Sequence, residues 1–218
     1  MNIAFYAPLK PPDHPRPSGD RRIARLLIRA LEVRGHSVQL ASHFRSREAR
    51  GDVNRQRRIA EVGRKLAQRY VRQVLKQTIR PRPQLWFSYH LYYKAPDWLG
   101  PVVSKLLGIP YVVAEASYAP KRDRPPWRMV HHASGAAIAH AQAIVTLNSD
   151  DVGCLKPLLG ERTERIHRLQ PFIDIDALSV PAPSQHLKRS LASRTTLDPC
   201  VPWLICAAMM RTGDKLAS

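Results

Sequence analysis

Nowhere in the 218 residues does an apolar run extend far enough to cross a bilayer, which excludes a membrane-spanning helix. Cysteine is scarce. Cys154, Cys200 and Cys206 are odd in number and match neither a disulfide framework nor a zinc pattern, so a reducing cytoplasm is the expected compartment. The opening Met1-Asn2-Ile3-Ala4-Phe5-Tyr6-Ala7-Pro8 lacks a basic leader region, and Pro8 and Lys10 break its apolar run. It reads as a strand and not as a secretory signal. The loop that follows lacks the spaced glycines of a dinucleotide fingerprint, which argues against a nicotinamide-dependent oxidoreductase. His131-His132 has no ligand partner at a suitable spacing, so no metal is expected.

Acidic residues are also few. Asp and Glu total 17 against 35 Lys and Arg, a formal net charge of +18. Such a field attracts nucleic acid, anionic headgroups or phosphorylated substrates, but it does not choose a fold. An arginine-rich, merely solvated surface gives the same balance.

What is present is a core and an alternation. Hydrophobic residues make up 44% of the chain, enough to bury one domain of this size. Ile3–Ala7 reads as a buried parallel strand. Ile23, Leu26, Leu27, Ala30 and Leu31 follow at helical spacing, closed by Gly35, and Val38 and Leu40 carry a second strand. Further strands are predicted at Leu85–Tyr89, Tyr111–Ala114, Ala143–Leu147 and Ile166–Leu169, separated by helices. The pattern predicts a Rossmann-like, doubly wound parallel α/β sheet over residues 1–176. Between Arg45 and Arg82 lie thirteen Lys or Arg and three acidic residues. Ile59, Val62, Leu66, Tyr70 and Val74 step through this stretch as the apolar stripe of a basic amphipathic helix. Residues 177–202 read as a linker with one helical turn around His186–Leu191. Trp203–Ala208 then reads as the first strand of a further domain, 203–218, that is incomplete.

The order of these landmarks resembles the family 4, GT-B-type retaining glycosyltransferases of bacterial cell-surface biosynthesis. The resemblance rests on Ile3–Pro8 with Pro17-Ser18-Gly19-Asp20 and Gly35-His36-Ser37-Val38. It rests also on Gly108-Ile109-Pro110-Tyr111-Val112-Val113 followed by Ala143–Ser149, and on Leu169-Gln170-Pro171-Phe172-Ile173-Asp174. Met209–Lys215 looks like the first loop of that family's donor-binding domain. The resemblance implies the N-terminal, acceptor-side domain of an enzyme truncated before its donor half. Such an enzyme uses no cofactor; a nucleotide-sugar is its co-substrate, and a cell-surface glycan or lipid-linked molecule is the acceptor. It implies that Ser18, Gly19, Asp20, Arg211 and Lys215 contact the donor sugar and diphosphate. The physical logic agrees, because a diphosphate leaving group needs cations and helix N-terminal amides. The plainer alternatives are a helix cap at Ser18-Gly19-Asp20 and a solvated pair at Arg211 and Lys215.

Two departures from the family stand out. The first loop has one glycine where the family has two, and Ala114-Glu115-Ala116-Ser117 stands where many members carry a histidine. Glu115, Ser117 and His90 are the acceptor candidates, with Glu115 and His90 also the catalytic ones, because the ends of parallel strands face the crevice. A buried or capping Glu115 and a packed His90 are the alternatives. The chain alone is expected to transfer no sugar. A cytoplasmic protein peripheral to the inner membrane is expected, with the Arg45–Arg82 segment binding anionic lipid electrostatically, whereas insertion through Leu66 and Tyr70 would resist salt. The competing function is a basic α/β module that binds nucleic acid or anionic membrane. No nucleic-acid motif supports the former, and aromatics are not interleaved with the basic run.

Overall fold

Asn2–Tyr6 (β1) is apolar on both sides, as a strand covered on two faces must be. It is followed by Gly19–Val33 (α1), Ser37–Ser42 (β2), Val53–Lys76 (α2), Leu85–Leu91 (β3), Gly100–Leu107 (α3) and Tyr111–Ala116 (β4). Arg128–His140 (α4), Ala143–Thr146 (β5), Asp150–Leu159 (α5) and Ile166–Arg168 (β6) complete the sheet and its helices. The computed structural model describes residues 1–79, 81–174, 185–194, 198 and 200. All strand pairs are parallel, in the order β2-β1-β3-β4-β5-β6. The expected doubly wound α/β sheet is therefore present, with β1 inside it and not at its edge.

The two faces are packed differently. Ala4, Tyr6, Trp86, Tyr111, Val113 and Ile144 meet side chains of α2, α3, α4 and α5. Ile3, Phe5, Phe87 and Tyr89 meet α1 through Ala24 and Leu27. Helix α1 starts on Ser18, whose Oγ accepts from the Arg21 amide at 3.3 Å. It ends before Gly35, whose φ of 80° is the left-handed turn that releases the chain toward β2.

Helix α2 departs from the sequence reading. Its buried face is Gln56, Ala60, Gly63, Ala67, Val71 and Val74, so that of the expected stripe only Val74 lies on it. The small residues face inward because α2 lies close against the start of α3: a β-carbon on Gly63 would stand 2.5 Å from Trp98 Cβ. Ile59, Leu66 and Tyr70 flank that seam half-buried, and Val62 is exposed. Tyr70 packs edge-on against Trp86 with ring centroids 5.4 Å apart, so insertion of Tyr70 into lipid is not open to this fold.

The chain divides into two compact units, Met1–Ile173 and Asp174–Ser218. In the second, Gln185–Ala192 forms a helix (α6), longer than the single turn expected there. The expected strand Trp203–Ala208, together with Arg211 and Lys215, lies outside the described residues. No helix among the described residues is long and apolar enough to cross a membrane.

Candidate functional site

In an open parallel sheet the ligand crevice lies at the carboxyl ends of the strands, where successive connections leave in opposite directions. Here that point falls between β1 and β3, since β1 connects outward to β2 and β3 connects the other way to β4. Asp20, in the first turn of α1, and His90, near the end of β3, meet across it. His90 Nδ1 stands 2.9 Å from Asp20 Oδ1, an ion-pairing distance, although the ring does not aim its N–H squarely at the oxygen. The His90 contact holds the Asp20 carboxyl below the usual carboxylate range, against the effect of burial. With Nδ1 committed to Asp20, Nε2 is the ring nitrogen left for a substrate proton.

β3 and β4 run two residues further than their apolar patterns indicated, so His90 and Glu115 are inside the strands and not after them. Both have left-handed backbones, with φ of 62° and 57°. Tyr89 pairs with Ala114 and the ladder resumes at Leu91 with Ala116, so the two unusual residues sit side by side on neighbouring strands. Their turns also break the strict alternation. Leu91 and Ala116 pack on the same face as Trp86 and Tyr111, where regular strands would have sent them to the other side. For side chains with a β-carbon this conformation costs of order 1–3 kcal/mol, and it gathers where function demands it. Glu115 accepts a hydrogen bond from the Leu147 amide at 3.0 Å, which ties β4 to the end of β5. Burial pushes its carboxyl above the usual range, partly offset by that amide and by nearby His90. Asp20, His90 and Glu115 thus form one electrostatically coupled group.

The remaining candidates are distributed around it. Ser117 follows β4, and its amide donates to the Leu91 carbonyl at 2.9 Å. Ser18 caps α1. Gly19 begins the helix with open space where a β-carbon would be, so the fold itself does not require glycine there. Ser18 and Gly19 border an open cavity of about 580 Å³ together with Arg21, Arg22 and Arg25. The paired histidines are engaged elsewhere: His131 is buried and stacked on Tyr118 at 4.2 Å, and His132 Nε2 is 2.8 Å from Asp123.

Two features had no sequence signal strong enough to find them. One is Asp97, wholly buried behind β3. Its Oδ1 accepts from the amides of Leu99 and Gly100 at 2.8 and 2.7 Å; its Oδ2 accepts from the hydroxyls of Ser88 and Tyr111. Burial raises its pKa against the pull of those four donors. The other is a basic cleft of about 700 Å³ beside Asp20, lined by Lys10, Arg16, Arg45 and Arg47. Its members come from two loops far apart in sequence, and only the general excess of positive charge hinted at it.

No family model and no curated protein matches the chain. Among solved structures it is similar to Arabidopsis thaliana UGT89C1 in complex with UDP, at 11% identity and a TM-score of 0.49. The match covers 84% of this chain and 56% of that one. The fold is fixed here by the chain's own sheet: six parallel strands in the order given, with helices on both faces.

Proposed function

We propose that the chain is the acceptor-side domain of a glycosyltransferase that uses a nucleotide-diphospho-sugar. The observation that carries this reading is the Asp20–His90–Glu115 group at the carboxyl edge of the sheet, with His90 and Glu115 on strained backbone. Glycosyl transfer asks one thing of such a domain: an acceptor hydroxyl must be positioned and relieved of its proton. The acceptor oxygen forms a bond to the anomeric carbon, the bond from that carbon to the diphosphate breaks, and the hydroxyl proton goes to His90 Nε2. Asp20 orients the ring and stabilises its protonated form. Glu115, held by the Leu147 amide, accepts a hydrogen bond from the acceptor or from the sugar. The Ser18–Gly19 end of α1 presents amides to the donor, and Arg211 and Lys215 neutralise its diphosphate. The motif resemblance along the chain supports the same assignment. The acceptor itself is a cell-surface glycan or a lipid-linked molecule.

The test is transfer from radiolabelled nucleotide-sugars to an acceptor panel, with a donor-binding domain supplied by fusion. His90→Asn is expected to lower kcat by about 10²–10⁴-fold with KM for the donor little changed. Asp20→Asn should fall in the same direction by less. Wild-type rates in His90→Asn would overturn the assignment of the base. Turnover by the 218-residue chain alone at roughly 1 per second would overturn the division of labour.

A further inference from the structure

We infer that the basic cleft beside Asp20 binds a phosphate or diphosphate group carried by the acceptor. The inference rests on the transferase reading and narrows the acceptor to a phosphorylated one. Lys10 and Arg16 come from the loop after β1, and Arg45 and Arg47 from the segment after β2. Together they line a cavity of about 700 Å³ whose one acidic wall residue, Asp20, is already engaged with His90. Among the described residues, none of these four cations is ion-paired with a carboxylate. Four like charges converging on one concave site repel one another, and a di- or trianion removes that repulsion.

The cleft is also held in shape. The Ser46 amide donates to the Pro8 carbonyl at 3.0 Å, and the Glu48 amide to the Lys94 carbonyl at 2.9 Å, fastening the Arg45–Arg47 segment between the loops that follow β1 and β3. Arg45 Nε donates to the Leu9 carbonyl at 3.2 Å, while its Nη1 is 3.5 Å from His14 Nε2. Arg21 and Arg25 donate to the Pro12 carbonyl from below, bracing the proline-rich loop that bears Lys10 and Arg16. Loops braced in this way lose little freedom when an anion arrives, whereas a mobile surface segment loses much. The placement gives the site its purpose. Asp20 is both a wall of the cleft and the partner of His90, so a phosphate docked there sets the adjoining hydroxyl of the same molecule at the base.

Calorimetric titration of the full chain with inorganic pyrophosphate and with glycerol 3-phosphate, at 0.15 M salt, tests the site. Saturable binding is expected, weakened about tenfold for each arginine removed, since each supplies charge-assisted hydrogen bonds to the anion. Arg45→Gln/Arg47→Gln is the main variant. Because Arg45 also holds the Leu9 carbonyl, Arg16→Gln/Arg47→Gln is measured beside it. Arg57→Gln/Arg58→Gln, which removes the same charge from the exposed side of α2, is expected to bind as the wild type does. Binding of pyrophosphate alone marks a diphosphate, and binding of both ligands a monophosphate ester. No saturable binding, or equal weakening by the α2 variant, would overturn the site and leave the transferase reading standing. Transfer to a phosphorylated acceptor at undiminished rate in Arg45→Gln/Arg47→Gln would do the same.

Discussion

Asp97 and Asp20 are both acidic residues of the same domain, yet their surroundings give them opposite tasks. Asp97 receives four hydrogen bonds in a space closed to water, so removing the carboxylate strands four donors at once. Asp97→Ala is expected to lower unfolding stability by about 3 kcal/mol or more, read as the shift of a urea midpoint. Asp97→Asn should lose less, since both facing hydroxyls can turn to accept from the new amide. Asp20 is partly open to solvent and is lowered by His90. A carboxylate with a depressed folded-state pKa contributes stability that is complete above its unfolded value, about 4. That contribution is lost as pH falls through the lower folded value. His90→Asn is therefore expected to lower the stability plateau above pH 4 towards the acid value, and so to flatten the acid limb of a stability–pH curve below pH 4. An unaltered acid limb would show that the pair does not couple in solution.

At the scale of single elements, α2 makes the strongest claims. Gly63 meets Trp98 and the Phe44 ring closely enough that an added methyl has no space. Alanine gains about 1 kcal/mol in helix propensity over glycine, but overpacking a close seam costs about 1–3 kcal/mol. Gly63→Ala is thus expected to destabilise the fold, and thermal unfolding would register the sign. The outer side of α2 carries Arg57, Arg58, Lys65, Arg69 and Arg72, all exposed. With Tyr70 locked against Trp86, lipid binding by this helix would be electrostatic alone. Co-sedimentation with anionic vesicles should decline steeply as salt rises, because the screening length is already about 10 Å at 0.1 M. Salt-resistant sedimentation would contradict the packing of Tyr70.

The strands were legible in the sequence because buried parallel strands are continuous apolar runs, and the helix caps because Ser18 and Gly35 are strong local signals. The inward face of α2 was not legible: Ala60, Gly63 and Ala67 carry little hydropathy, and only the close approach of another element makes them the right residues. The full length of β3 and β4 was hidden for a related reason. A left-handed histidine or glutamate leaves no mark in composition, so His90 and Glu115 were placed at the correct edge but outside the strands. The cleft arginines come from separate loops, and tertiary structure alone assembles them.

For the molecule as a whole, the first unit contains both hydrophobic clusters, the crevice and the basic cleft. Residues 1–173 expressed alone are expected to unfold cooperatively and to retain the near-ultraviolet dichroism of their buried aromatics. A broad, non-cooperative transition would count against the unit's independence.

The sheet order also sets a timetable for synthesis. β1 lies between β2 and β3, and Ile3 pairs with Leu85, about eighty residues later. At about 5–20 residues per second, a ribosome takes roughly 4–16 s to make that partner. Throughout that interval Ile3, Phe5 and Tyr6 have at most β2 beside them, on one edge only. The nascent chain therefore carries a core strand half-paired for seconds, and that delay marks out the period in which a chaperone has the most to protect.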